Sequence, residues 1–102
     1  MKPYQVEILK AAKLDLRHAK NWYNTQRENL GNEFLFEIEK SLKQIQAYPE
    51  QFPKNRNEIR KAVLKRFPYC LYFAIKLNSI KIIAVFHNSR NPIIWEKRNI
   101  ID

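Results

Sequence analysis

The hydrophobic pattern of this chain changes period part-way along, from helical to extended. Residues 4–9, YQVEIL, mix apolar and polar positions as a short first strand does. From Lys10 to about Arg27, Ala12, Leu16, Ala19 and Tyr23 recur at spacings of four, three and four, which is one face of an amphipathic helix. Gly31, the only glycine, stands in the joint ENLGN, where one helix can end and the next begin. Phe34, Leu35, Ile38, Leu42 and Ile45 mark a second helical face that stops before Pro49. With so short a link, the two helices must pair as an antiparallel hairpin.

AYPEQFPKNRNE (47–58) reads as a loop broken by Pro49 and Pro53. After it the period becomes two. IRKAVLKR (59–66) predicts an edge-like or curved strand, with Arg60 and Arg66 on one face and Lys61 and Lys65 on the other. YCLYFAI (69–75) is apolar throughout, as a central strand covered on both faces is. Asn78-Ser79 signals a turn into IKIIAVFH (80–87), and NPIIWEKR predicts a short C-terminal helix with Pro92 in its first turn. The expected fold is therefore α+β: an N-terminal strand, an antiparallel helical hairpin, then a three-strand antiparallel meander. The helices cover one face of the sheet and leave the other free for a partner. With 102 residues and no linker composition, one domain over 1–102 is expected.

Charge adds the first functional hint. The net charge is +9, and it is lopsided. Residues 1–50 carry 8 Lys/Arg against 7 Asp/Glu, whereas residues 51–102 carry 11 against 3. Such a field favours an anionic partner: nucleic acid, the ribosome or an acidic protein segment. The N-terminus lacks the layout of a signal peptide, and no apolar run approaches a membrane span. A cytoplasmic protein without membrane association is expected.

Several chemistries drop out. A single glycine leaves no phosphate-cradling loop, and a single cysteine leaves no internal disulfide or cysteine-based zinc site. His18 and His87 lie on different elements with no ligand-spaced partner, so neither a metal nor a cofactor is expected. Cys70, inside the most apolar strand, reads as a buried structural thiol. Asp15, Glu33, Glu37 and Glu39 fall on helices, where surface charge is the ordinary role. The cations are better candidates. A nuclease that uses the RNA 2′-hydroxyl as nucleophile needs a base, an acid and cations but no metal. Arg60, His87 and Arg90 are the residues available for those roles; the alternative is that the cations form a binding patch and His87 is a strand-end residue.

Three stretches then carry a resemblance: KLDLRHAKNWY, FPYCLYFAI and AVFHNSRNPIIWEKR. In their order and separation they resemble the RelE/ParE superfamily of toxins from bacterial type II toxin–antitoxin modules, over nearly the whole chain. The resemblance implies that superfamily's fold and one of two activities. RelE-like members cleave mRNA on the ribosome; ParE-like members inhibit DNA gyrase. Both are held silent by an acidic antitoxin, which implies a toxin–antitoxin hetero-oligomer. Carried over residue by residue, Lys61 and Arg90 fall on basic positions of the nuclease type. Val63, Cys70 and Trp95 stand where that type has a second lysine, an arginine and a tyrosine. The ending H-x-x-R-x-P-x-x-W is closer to the ParE-like, plasmid-stabilisation branch. The leading expectation is thus a gyrase inhibitor without catalysis, with Arg60, Lys65, Arg66, Arg90, Trp95 and Arg98 facing target or antitoxin. The alternatives are a ribosome-dependent endoribonuclease and a non-toxic basic nucleic-acid-binding module.

Overall fold

The computed structural model describes residues 4–90 and Arg98. Strand β1 (Gln5–Ile8) runs directly into helix α1 (Lys10–Gln26), and helix α2 (Leu30–Ala47) follows. A single 3-10 turn, Pro49–Gln51, leads to β2 (Lys54–Arg56), β3 (Ile59–Val63), β4 (Tyr69–Lys76) and β5 (Ser79–His87). Among the described residues the strands form one sheet in the order β1-β5-β4-β3-β2. The meander β3-β4-β5 is antiparallel as expected, and β1 joins it parallel to β5.

The helical hairpin forms along the expected stripes. Ala12, Ala19 and Tyr23 of α1 and Phe34, Ile38 and Ile45 of α2 are buried against Ala62, Leu71, Phe73, Ile80, Ile82 and Val85 of the sheet. An aromatic cluster locks the hairpin to the start of β4: Tyr23 lies 4.9 Å from Phe67 and 5.3 Å from Phe34, and Phe34 lies 5.1 Å from Tyr69. Gly31 does not end a helix. It is the second residue of α2, and the left-handed position in the joint belongs to Asn29 (φ 67°). Gly31 is needed for closeness instead. A Cβ there would stand 2.4 Å from the Lys20 carbonyl oxygen, and its own N–H donates to Asn24 Oδ1 at 2.7 Å.

Four expectations change. The segment 47–58 is not all loop, because Lys54 and Arg56 pair through the backbone with Arg60 and Ile59; KNR is a short polar edge strand and so carries no apolar signal. The strand expected over 59–66 stops at Val63. Leu64 N–H donates to the Tyr69 carbonyl and Tyr69 N–H to that of Phe67, so residues 64–68 double back into β4. Lys65 and Arg66 therefore lie on that turn, not on strand faces. The hairpin turn is Leu77–Asn78, one residue earlier than expected, and Leu77 adopts φ 54° while almost wholly exposed. Finally, the second face of the sheet is not free. Leu9, Ile59, Cys70, Tyr72, Ala74, Ile83, Ala84 and Phe86 form a second buried apolar cluster there.

A bulge makes both faces of β5 apolar. Tyr72 pairs with Ala84 but Phe73 with Ile82, so Ile83 is an extra residue and the alternation of β5 shifts by one across it. Ile80, Ile82 and Val85 consequently all face the helices, while Ile83, Ala84 and Phe86 supply the opposite cluster. The C-terminal helix expected from Pro92 lies outside the described residues.

Candidate functional site

Beyond the end of β1, the outer edge of β5 is closed by side chains. β1 pairs with β5 only as far as Ile82, whose carbonyl accepts Leu9 N–H at 3.0 Å. Past that point Asp15 of α1 takes over and accepts the Val85 N–H on Oδ2 at 2.9 Å. The same carboxylate holds the Arg98 guanidinium through two bonds, at 2.7 and 3.0 Å, and Arg98 also donates to the Ile83 carbonyl at 2.9 Å. A two-pronged guanidinium–carboxylate fork is the strongest ordinary ion-pair geometry. Here it satisfies strand-edge groups that would otherwise be left without partners.

Asp15 is thus no surface charge, contrary to expectation: its side chain is about nine-tenths buried. A signal for this existed in the sequence. Asp15 falls three residues after Ala12 and four before Ala19, inside the apolar stripe of α1. His18 and Trp22 continue from it at three and four, giving a second stripe that sequence reasoning left out. Tyr69 carries no signal in the sequence beyond opening a strand.

The basic candidates separate into groups. Lys61 and Arg90 belong to the second face: the Lys61 ammonium lies 5.9 Å from the Tyr72 ring, and the Arg90 guanidinium 3.9 Å from the Phe86 ring. Arg98 covers the same Phe86 ring at 4.9 Å. Tyr72 and Phe86, 6.1 Å apart, are the floor that joins these cations. Arg60 is elsewhere. It pairs with Phe73 on the helix-facing side, and its guanidinium donates to the carbonyls of Phe52 at 2.6 Å and Glu50 at 3.2 Å. Arg66 is held by Glu33 at 2.9 Å, a carboxylate it shares with Arg27 at 3.1 Å. The hydrogen bond from Arg66, aided by Arg27, lowers the Glu33 pKa despite a smaller opposing desolvation. Lys65 is exposed on the turn beside them, and Trp95 lies outside the described residues.

His87 ends β5 and also faces the helix side, opposite Tyr69 with ring centroids 5.3 Å apart. Its Nδ1 accepts the Ser89 N–H at 3.0 Å, so the neutral imidazole carries its proton on Nε2. The Arg90 N–H donates to the His87 carbonyl at 2.9 Å, which makes this a hydrogen-bonded turn. His87 and Arg60 are far apart. Their partners Tyr69 and Phe73 lie four residues apart on β4, roughly 13 Å along the sheet, and β4 itself lies between the two strands. The four nuclease candidates therefore do not converge: Arg60 and His87 share a face but not a place, and Lys61 stands on the other side. Cys70 is buried, with its Sγ 3.6 Å from the Phe86 carbonyl oxygen, and burial raises its pKa. Among the described residues no three His, Cys, Asp or Glu side chains are grouped as a metal site, and no helix is long and apolar enough to cross a membrane.

What the geometry offers is a set of cations, Lys61 and Arg90 among them, lying over the buried rings of Tyr72 and Phe86. Comparisons with known proteins agree with the fold. The chain is similar in structure to a protein of the chromosomal ParDE toxin–antitoxin system of P. aeruginosa, with a TM-score of 0.74 and 19% identity, over 82% of this chain and 95% of that one. It is also similar to a chain of the RelBE2 toxin–antitoxin complex of Mycobacterium tuberculosis, with a TM-score of 0.59 and 17% identity, over 84% of this chain and 99% of the other. No curated protein matches it in sequence. The model of the family described as the ParE toxin of the type II toxin–antitoxin system parDE matches residues 6–92. This α+β chain belongs to the ParE toxin family of type II toxin–antitoxin systems, within the RelE/ParE superfamily.

Proposed function

We propose that this toxin acts by binding rather than by catalysis, inhibiting DNA gyrase in the cytoplasm until an acidic antitoxin covers it. The observation that carries this reading is the dispersal of Arg60, Lys61, His87 and Arg90 over two faces of the sheet. General acid–base cleavage needs proton donor and acceptor within hydrogen-bond reach of one phosphate; His87 and Arg90 border one groove, but Arg60 and Lys61 stand away from it, so the four have no such common point. Membership of the ParE family, and the likeness to a ParDE protein, support gyrase over the ribosome as target. The surface proposed for target and antitoxin is built on Lys61, Lys65 and Arg90. Arg60, Arg66 and Arg98 lie behind it, already engaged by carbonyls or carboxylates. Trp95 is proposed to contribute to the same binding.

The experiment is induction of the chain alone in a bacterial host. Filamentation with DNA damage, and purified protein that blocks gyrase supercoiling, are the expected results. A prompt fall in translation with cut mRNA would instead support the endoribonuclease reading, which Lys61 and Arg90 on one face favour. Unimpaired growth would leave the non-toxic binding module. Association with an acidic antitoxin should weaken as salt is raised, since Lys65 and Arg90 are exposed.

A further inference from the structure

A groove of about 240 Å³ opens between α1 and the end of β5; it shares Arg90 with the surface over Phe86, but the gyrase reading makes no use of its Trp22, His18 and His87. Its lining is unusually rich in flat side chains: Trp22, His18, Tyr69, His87 and Arg90 all border it. Trp22 is 55% exposed, a large indole in T-shaped contact with Tyr23. Asp15 is the one acid in the lining, and its charge is spent. Both its oxygens are occupied by Arg98, and one also accepts the Val85 N–H. The His87 Nδ1 is taken by Ser89, which leaves this ring a donor at Nε2. Arg90 has no carboxylate partner among the described residues and is braced against Phe86.

The groove therefore offers donors and π-faces but no free anion. That combination selects a ligand with a flat aromatic part and an anionic, acceptor-rich part within a few ångströms of it. A hydrophobic partner side chain would leave Arg90 and the imidazoles without acceptors, and a bare anion would leave Trp22 uncovered. We propose that this groove binds a nucleotide unit, with the base against Trp22 and the phosphate held by Arg90 and His87. The net charge of +9 favours the same class of ligand. Stacking on an aromatic side chain is indifferent to base identity, so the site reads the presence of a nucleotide and not its sequence. The unit can be a free mononucleotide or part of a single strand.

The test is an NMR titration of the ¹⁵N-labelled full chain with AMP, adenosine, inorganic phosphate and a short oligoadenylate. AMP is expected to move the Trp22 indole N–H and the amides of His87 and Arg90, saturably, and more tightly than adenosine or phosphate does. Trp22→Leu and Arg90→Gln should each weaken AMP binding about tenfold, and Trp22→Phe should retain most of it. Trp22 is half in solvent, so its removal leaves the core untouched, and unchanged amide dispersion checks this. Tighter binding of the oligoadenylate than of AMP would identify a single strand as the source, and equal affinity a free nucleotide. Phosphate matching AMP, shifts confined to the Lys61–Tyr72 face, or Trp22→Leu binding AMP like the parent would each overturn the proposal.

Discussion

Asp15 and Arg98, 83 residues apart in the chain, are joined by a two-pronged ion pair that seals the outer edge of β5. Both side chains are mostly buried, so removing one partner strands the other's charge. Asp15→Ala should cost about 3 kcal/mol or more, read as a lower urea midpoint at unchanged slope. Asp15→Asn keeps an acceptor for the Val85 N–H and should cost less. The double variant Asp15→Ala with Arg98→Ala should cost less than the sum of the two single changes. Strict additivity would mean that the pair contributes nothing as a pair.

Gly31 is required by crowding. A methyl group at this position would stand 2.4 Å from the Lys20 carbonyl oxygen, an atom that cannot move without shifting α1. Gly31→Ala should therefore destabilise by about 1–3 kcal/mol, despite alanine's higher helix propensity. Thermal unfolding would measure it, and a rise in midpoint would mean that the helices part freely.

Leu77 runs the other way. It holds a left-handed backbone conformation, φ 54°, with 97% of its surface exposed, so it bears strain and gains no burial. Leu77→Asn, which tolerates that conformation, should raise stability by about 0.5–1 kcal/mol. An unchanged or lower urea midpoint would contradict this account of the turn.

Alkali should weaken the fold before acid chemistry enters. Burial raises the Cys70 thiol above its ordinary 9.0, and burial likewise raises Tyr23 and Tyr69 above 10.0; Arg90 partly offsets the rise at Tyr69. The unfolded chain therefore releases these protons first. Stability is unaffected below the ordinary thiol value and falls as pH climbs towards the raised folded values. Glu33 gives the opposite limb. Its lowered pKa contributes stability above the ordinary 4.5 that is lost as pH falls through the folded value. Urea midpoints from about pH 8 to about pH 10.5 should decline, and Cys70→Ala should remove the earliest part of that decline. At neutral pH Cys70 should resist alkylation until the protein unfolds.

The helices and central strands were legible because each carries its own periodicity. Ala12 to Tyr23, Phe34 to Ile45 and YCLYFAI needed no knowledge of the rest of the chain. What escaped depends on residues distant in sequence. β2 is polar and exists only because β3 is beside it. The two-sided burial of β5 turns on one extra residue, Ile83, that no alternation count reveals. Asp15 looks like any helix surface acid until Val85 and Arg98 are brought against it. The candidate site failed as a catalytic set for a related reason. His87 and Arg60 are the right residue types, but the strand order decides their separation, and strand order is not written in local pattern.

The parallel pairing of β1 with β5 has a bearing on how the molecule comes into being. Gln5 must wait for Ser79, and Asp15 for Arg98, so β1 and the sealed edge of β5 close only after the strands that follow the hairpin are made. Contacts this non-local slow the final closure. During synthesis α1 and α2 can already pair while their sheet-facing stripes, Ala12 to Tyr23 and Phe34 to Ile45, are still bare. The toxin thus reaches its working shape late.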